Sequence, residues 1–487
     1  MPTADPAKML APALREAGYT LPAIRTVLAG ERTLSGRPED LVVSARRFVD
    51  GSPLALAARL LLLDLEVDST AWDRSLPGLP AVALEELGIA KREAGGLRAS
   101  MRVVPHGDYY VTSDPQGGHA GADHVTGISN PAVLLSDLAV RSPAKLGLDL
   151  GCGGGIQSLL MSRHCEKVIA TDVNPRAISY TELNARINGI TNIETRLGSL
   201  FEPVEDLRFD LILCNPPYVI SPDSRLLYRD SGMPGDSLCR QIVGEIGHHL
   251  ADGGFAQLLV SWAQVGDRAW QEILAEWVGS SPVDAWFLHY HTEDPLTHAA
   301  KWNRPATPAD VPEFEAIVDR WTAYFREQGI DAVGFGSVNL KRRSEGAGWR
   351  RSDTIREGHG SAGAHIQRVF TAEEILRGLP NEEALFATHW RLARGCRLEQ
   401  ALVERPQGGW EPVENRLVMT EGFGFNGSID IPLAQVLQYL DGKRTVEQAV
   451  AKASPEIGIA KREAAAFRQT AGQTVRRLAE LGFLDPE

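Results

Sequence analysis

Asn215-Pro216-Pro217-Tyr218 closes the apolar run Phe209-Asp210-Leu211-Ile212-Leu213-Cys214, and this tetrad carries the plainest chemistry in the chain. Neither proline has an N–H to donate, so a strand that reaches them stops pairing and leaves the sheet extended. The edge then presents an amide side chain, a free carbonyl and an aromatic ring. Such a set suits a planar NH2 group, with acceptors for its two protons and a ring for its face. An ordinary strand-ending turn is the plain alternative.

Two upstream segments bear on that choice. Leu148-Asp149-Leu150-Gly151-Cys152-Gly153-Gly154-Gly155 reads as a strand passing through a glycine loop into a helix at Ile156–Ser162. Glycines there let the chain turn tightly and let a ligand lie against bare peptide groups at a helix N-terminus. Alone, the loop would serve a dinucleotide equally well. A second strand ends at Ala170-Thr171-Asp172-Val173-Asn174-Pro175, with Asp172 placed to accept hydrogen bonds from both hydroxyls of a ribose. Ligands of open α/β sheets bind beyond the carboxyl ends of the strands, where strand order reverses, and all three segments end such strands.

In this order and spacing, DLGCGGG, ATDVNPRAI, GSLFEP and DLILCNPPYV resemble the class I S-adenosylmethionine-dependent methyltransferases. More narrowly they resemble the HemK-like, NPPY-bearing branch, which methylates nitrogen on release-factor glutamines or at adenine N6. The resemblance spans Val125 to Ala263 and implies S-adenosyl-L-methionine as cofactor. Asp149 and the backbone of Gly151, Cys152 and Gly153 would hold its methionine portion, Asp172 its ribose, and Val173 one face of its adenine. The family commonly places an acidic residue at the adenine amino group where this chain has Ser199. That contact is therefore expected from the Ser199 hydroxyl and the backbone around Leu200. Asn215 and the Pro216 carbonyl would accept hydrogen bonds from the substrate NH2, Pro217 would stiffen the turn, and Tyr218 would stack on the substrate plane. No strong general base, catalytic histidine or metal is expected, and His289, His291 and His298 are read as non-ligating.

The elements that must position these residues alternate strand and helix, which predicts a parallel sheet covered on both faces. The expected fold class is α/β: a Rossmann-like, seven-stranded class I methyltransferase core between an N-terminal helical domain with a hairpin and a C-terminal winged-helix-like α+β domain. The expected boundaries are 1–120, 121–345 and 346–487, the last opening with a linker. Strands are predicted at Leu146–Leu150, Lys167–Thr171, Phe209–Cys214, Phe255–Val260, Ala285–His289 and Ile330–Lys341, and a helix at Val311–Gln328. The hairpin is predicted from Leu97–Val104 and Tyr109–Thr112, turning at Pro105-His106-Gly107-Asp108. Pro115–Gly121 reads as a linker or a loop near a ligand. Arg343–Ala364 reads as an exposed linker, and its basic and aromatic residues, with Lys341, as a solvated face in preference to a single-stranded nucleic-acid binder. The heptamer Gly88–Ala94 recurs as Gly458–Ala464, a hint that the two flanks share a helical plan.

At 487 residues the chain exceeds what one core organises, and two to four domains are expected. A formal charge of −13, from 63 acidic and 50 basic residues, argues against a broad nucleic-acid-binding surface. Five cysteines without a CxxC pair read as reduced thiols of a cytoplasmic protein, and no segment reads as a signal peptide or membrane span. The function expected is methylation of a planar nitrogen, first of all a protein glutamine, with a translation release factor among the expected partners. The alternatives are an exocyclic amine of a nucleobase in rRNA or DNA, and a non-catalytic binding protein built on the cofactor fold.

Overall fold

The computed structural model describes residues 5–28, 38–94, 96–115, 121–304, 310–346, 348–355 and 360–487. Contacts divide the chain into two compact units, residues 1–136 with 142–354, and residues 137–141 with 355–487.

The first unit is organised by one sheet. Its strands, numbered within that sheet, are β1 (Ala144–Leu150), β2 (Cys165–Asp172), β3 (Ile193–Leu197), β4 (Phe209–Cys214), β5 (Leu250–Gln264), β6 (Val283–Glu293), β7 (Ala332–Arg342) and β8 (Arg350–Thr354). They lie in the order β8-β6-β7-β5-β4-β1-β2-β3. Strand β7 runs antiparallel to both its neighbours and every other pairing is parallel. Runs such as Leu211–Cys214 and Leu258–Val260 are buried at every residue, as in a strand covered on both faces. Helices α1 (Ile156–Met161), α2 (Pro175–Ile187) and α3 (Ser237–Ile246) follow β1, β2 and β4. This is a Rossmann-like doubly wound core.

The sheet has eight strands, one more than expected, because part of the expected linker joins it. Arg350–Thr354 pairs in parallel with β6 through Ala285↔Arg350 to His289↔Thr354. The segment is held by large rings: Trp349 is buried, Asp353 accepts from the Trp286 indole N–H at 2.7 Å, and Arg351 stacks over Trp286. The neighbouring cations are engaged too. Arg343 pairs with Asp284, Arg342 donates to the Gly247 carbonyl, and Lys341 lies over Phe255. The basic and aromatic residues are part of a sheet edge, so they form neither a solvated linker face nor a free nucleic-acid surface.

Before the sheet, short helices between Pro6 and Glu86 enclose a core around Leu10, Leu60, Leu61 and Trp72. Among them the apolar run from Leu54 forms a short α-helix, Pro53–Ala57, that widens into a π-helical turn at Ala58–Leu62. The expected hairpin strand Leu97–Val104 is two strands. Gly96–Ala99 pairs with Ala90–Glu93 and Val67–Asp68, while Arg102–His106 pairs with Tyr109–Ser113. Pro105 therefore lies inside a strand, opposite Tyr110, and only Gly107-Asp108 make the turn. The predicted loop Pro115–Gly121 lies largely outside the described residues.

The second unit contains a three-stranded sheet, Asp441–Thr445, His389–Leu392 and Leu484–Pro486 in that order. Helices Gly363–Gly378, Ile431–Leu437, Val446–Ile457 and Ala464–Glu480 belong to it, as does a hairpin of Cys396–Glu404 and Trp410–Met419. The repeated heptamer does not repeat its structure: Ala90–Glu93 is a strand, whereas the second copy turns into the helix starting at Ala464. Only its glycine acts alike, since Gly88 (φ 71°) and Gly458 (φ 79°) both follow a helix end in the left-handed region.

One packing contact in the sheet gives a direct test. A Cβ on Gly334 of β7 would lie 2.1 Å from the buried Trp262 indole of β5. Gly334→Ala should destabilise the first unit by about 1–3 kcal/mol through overpacking, seen as a lower urea or thermal midpoint. An unchanged midpoint would mean that Trp262 can move aside at no cost.

Candidate active site

Backbone register brings the three chemical segments together. Leu150 of β1 is paired with Thr171 of β2 on one side and Cys214 of β4 on the other. Gly151, Asp172 and Asn215 are each the next residue along, so all three emerge from one edge of the sheet. Strand order reverses between β1 and β4, and the crevice there is where ligands of such sheets bind. A cleft of ≈ 720 Å³ opens at this point, and every sequence-predicted site residue except Tyr218 lines it.

The glycine loop is shaped by backbone need. Gly151 (φ 74°), Gly153 (φ 54°) and Gly155 (φ 77°) all occupy the left-handed region, and a Cβ on Gly155 would meet Thr181 of α2 at 2.8 Å. The N–H groups of Gly151 and Cys152 both donate to the Thr171 carbonyl at 2.9 Å, folding the loop onto β2. Asn184 of α2 fastens it from behind. Its Nδ2 donates to the Gly154 carbonyl at 2.8 Å, and its Oδ1 accepts from the Thr112 N–H at 2.7 Å. Burial pushes the Cys152 thiol well up, with Asp172 and Asp149 adding to the effect, so it stays a neutral filler.

Two carboxylates flank the loop. Asp149 is buried, and its Oδ2 accepts from the Ser158 N–H at 2.8 Å and the Ser158 hydroxyl at 2.6 Å. Desolvation raises its pKa to about 6 against the opposing pull of Ser158. Asp172 accepts from the Gly153 N–H at 2.9 Å through Oδ2 and from the Asn174 N–H at 2.8 Å through Oδ1. Burial raises its pKa as well, against those same backbone donors. Each carboxylate oxygen has two lone-pair sites, so both oxygens of Asp172 keep acceptor capacity toward the cleft.

Beyond β4, Asn215 lines the cleft, and its Oδ1 is shut off from water without a hydrogen-bond partner among the described residues. An unsatisfied buried acceptor costs about 1–3 kcal/mol, so its persistence calls for a reason. Tyr218 is placed otherwise than expected. Its ring lies against Phe335 (5.1 Å between centroids) and Trp302 (6.4 Å), its carbonyl accepts from the Ser261 hydroxyl, and burial drives its phenol pKa up. The tyrosine that lines the cleft is Tyr228, which also packs against His124 at 5.7 Å. Tyr228 lies in the loop after the tetrad, folded around buried Asp230, which accepts from the Ser221 hydroxyl and pairs with Arg229. The Leu227 N–H in this loop donates to the Ala122 carbonyl at 3.0 Å. Asp114 anchors that wall, accepting from Arg176, Tyr180 and the Val125 N–H.

At the other end Ser199 and Leu200 line the cleft, and sequence reasoning missed the acidic side chains beside them. Glu202 and Glu205 also line it, and the wall in all carries six carboxylates and no lysine or arginine among the described residues. Away from this site Glu293 pairs with His291, His298 and Lys301, and its contacts with His298 and Lys301 hold its carboxyl well below the usual range.

Residues 128–259 match the family model described as Methyltransferase small domain. Residues 16–100 and 367–486 match two models described as domains of unknown function, DUF7059 and DUF7782. A curated protein of Methanocaldococcus jannaschii, provisionally named a protein N5-glutamine methyltransferase, is 33% identical over 137 residues, 27% of this chain and 68% of that one. The release factor glutamine methyltransferase of Aquifex aeolicus is 33% identical over 141 residues, 26% of this chain and 50% of that one. The ribosomal protein uL3 glutamine methyltransferase of Bradyrhizobium diazoefficiens is 30% identical over 145 residues, 27% and 46%. The chain thus spans about half the length of these two bacterial relatives. Among solved structures, Trm5b from Pyrococcus abyssi overlaps 52% of this chain and 62% of its own at a TM-score of 0.31 and 16% identity, too loosely to bear on function. The chain belongs to the HemK-like branch of the class I S-adenosylmethionine-dependent methyltransferases.

The residues present fit that cofactor. Val173 is 58% exposed, a bare apolar side chain at the cleft suited to a purine face, and the carboxylate-rich wall suits a ligand carrying positive charge. The raised Asp149 pKa sets a stability test. Below about pH 4 the group is protonated in both folded and unfolded chains. Between there and pH 6 the unfolded chain ionises first, so this group's contribution falls as pH rises, by up to about 3 kcal/mol in all. Asp149→Asn keeps an acceptor for Ser158 and should remove that slope. A variant whose stability tracks the wild type from pH 4 to 7 would show that Asp149 ionises normally.

Proposed function

We propose that this chain transfers a methyl group from S-adenosylmethionine to a planar, uncharged amide nitrogen, that of a protein glutamine side chain. The observation that carries the reading is the unpartnered Oδ1 of Asn215, buried at the cleft directly beyond β4. Asp149 and the Gly151–Gly155 backbone would hold the methionine portion of the cofactor, and Asp172 the ribose. When bound, the cofactor supplies an activated methyl group on a positively charged sulfur.

The protein's own task is then alignment of a poor nucleophile. An amide nitrogen spreads its lone pair into the carbonyl. Asn215 Oδ1 and the Pro216 carbonyl, accepting from both N–H protons, return density to nitrogen and gain strength as positive charge develops there, and the methylated nitrogen then becomes neutral by releasing one of those protons to water. Pro217 keeps the two acceptors rigid. Tyr218 supports the tetrad from behind through its ring contacts, and Tyr228 supplies the aromatic wall.

The choice of acceptor rests on charge. A cleft wall with six carboxylates and no lysine or arginine disfavours a phosphate backbone, which needs cations to neutralise it. The names of the relatives from Aquifex aeolicus and Bradyrhizobium diazoefficiens, which act on protein glutamines, agree with this preference. Placement in the cytoplasm is supported by five free cysteines, and among the described residues no helix is long and apolar enough to cross a membrane. The N-terminal residues 1–120 and the second unit, residues 355–487, would select the partner protein, a translation-machinery component such as a release factor.

Asn215→Ala should lower methyl transfer by about 10²–10³-fold while cofactor affinity by calorimetry stays within about threefold. Equal loss of both would place Asn215 in cofactor binding instead. Radiolabelled methyl transferred in lysate should survive nuclease and be released by protease. The opposite result would assign the acceptor to nucleic acid.

A further inference from the structure

Ser199 stands where an acidic residue was expected at the cofactor's adenine, and the chain places a carboxylate there by another route. The segment after β3 begins at Leu197, paired with Asp172, and the Gly198 N–H donates to the Asp172 carbonyl at 3.0 Å. This fixes Ser199 beside the proposed ribose and adenine positions. Leu200 then takes φ 47°, a left-handed conformation unfavourable for a branched side chain. The turn it makes carries the chain back over itself into the 3-10 turn Glu202–Val204.

Three contacts hold that turn in place. Pro203 packs where a side chain on Gly198 would sit, since a Cβ there would lie 2.4 Å from Pro203 Cγ. Arg196 donates to the Pro203 carbonyl at 2.9 Å. The Ser199 N–H donates to Glu202 Oε2 at 3.4 Å, and the Glu202 N–H donates back to the Ser199 carbonyl at 3.0 Å. The Glu202 carboxylate is thus tethered by one oxygen next to Ser199, exposed, at the cleft wall.

We propose that Glu202 is the adenine-specifying residue of this site, its free carboxylate oxygen accepting a hydrogen bond from the purine 6-amino group. The assignment rests on the S-adenosylmethionine reading above. A carboxylate is acceptor-only, so it rewards a 6-amino group and opposes a 6-oxo group, whose lone pairs would face its own. A serine hydroxyl can donate or accept and would not discriminate in this way.

The test is calorimetric binding of S-adenosylhomocysteine and of S-inosylhomocysteine, its 6-oxo analogue, to the full-length chain. Wild type should prefer the adenosyl form by about tenfold or more, the scale of one charge-assisted hydrogen bond. Glu202→Gln, whose amide can donate or accept, should bring the two within about threefold, with thermal unfolding unchanged. Ser199→Ala keeps the backbone N–H that tethers Glu202 and should retain the preference. The proposal is overturned if Glu202→Gln still discriminates, or if Ser199→Ala or Glu205→Gln abolishes the preference while Glu202→Gln does not. Wild type binding both ligands equally would remove this assignment alone, and binding neither would remove the cofactor reading with it.

Discussion

The double pairing of Leu150, with Thr171 on one side and Cys214 on the other, is the constraint from which the site follows. A parallel strand that hydrogen-bonds on both edges cannot slip by one residue without turning its buried side chains toward the wrong face. Here those side chains include Leu148, Ile169 and Ile212, all almost wholly inaccessible, so hydrophobic burial locks the register. With the register locked, the glycine loop, the acidic strand end and the proline-terminated strand all end at one height. No loop has to search for the others, and the entropy of assembling the site is already spent in folding the sheet.

The N-terminal hairpin extends that constraint. The Thr112 N–H donates to Asn184 of α2 and the Tyr110 N–H to Asn188, which caps the C-terminus of that helix, and the same Asn184 holds the Gly154 carbonyl. One buried amide therefore couples a strand outside the sheet to the glycine loop at the cleft. A few residues on, Asp114 closes the cleft wall by accepting from Arg176, whose contacts hold its carboxyl ionised below the ordinary range against the cost of burial. The hairpin and the sheet are thus one mechanical piece, consistent with their place in a single compact unit.

What the sequence made legible follows where the information sits. Phe209–Cys214 appears as a strand over the residues expected, because a short apolar run ended by two prolines states both identity and limit. The glycine loop was legible for a similar reason: Gly151, Gly153 and Gly155 answer to backbone geometry. Arg350–Thr354 was illegible, since it has no apolar residue and owes its place to Trp286 and Trp349. The orientation of Tyr218 was equally hidden. Its ring turns toward Trp302 and Phe335, more than eighty residues away in sequence, and no local pattern distinguishes it from Tyr228. Gly88–Ala94 and Gly458–Ala464 make the same point with identical residues, strand in one place and helix entry in the other.

Charge explains why this wall can be built so acidic. Burial raises the pKa of Asp149 and of Asp172, and the neighbouring Asp172 carboxylate adds to the rise at Asp149. Without a cation, such a pair weakens the folded state. Under the proposed function, a ligand bearing an ammonium and a sulfonium would lower that penalty on binding, so part of its affinity would come from relief of the buried carboxylates. Once the methyl group had left, the ligand would keep one positive charge fewer and the relief would shrink. A neutral amide acceptor, as proposed, would bring no charge of its own to disturb that difference.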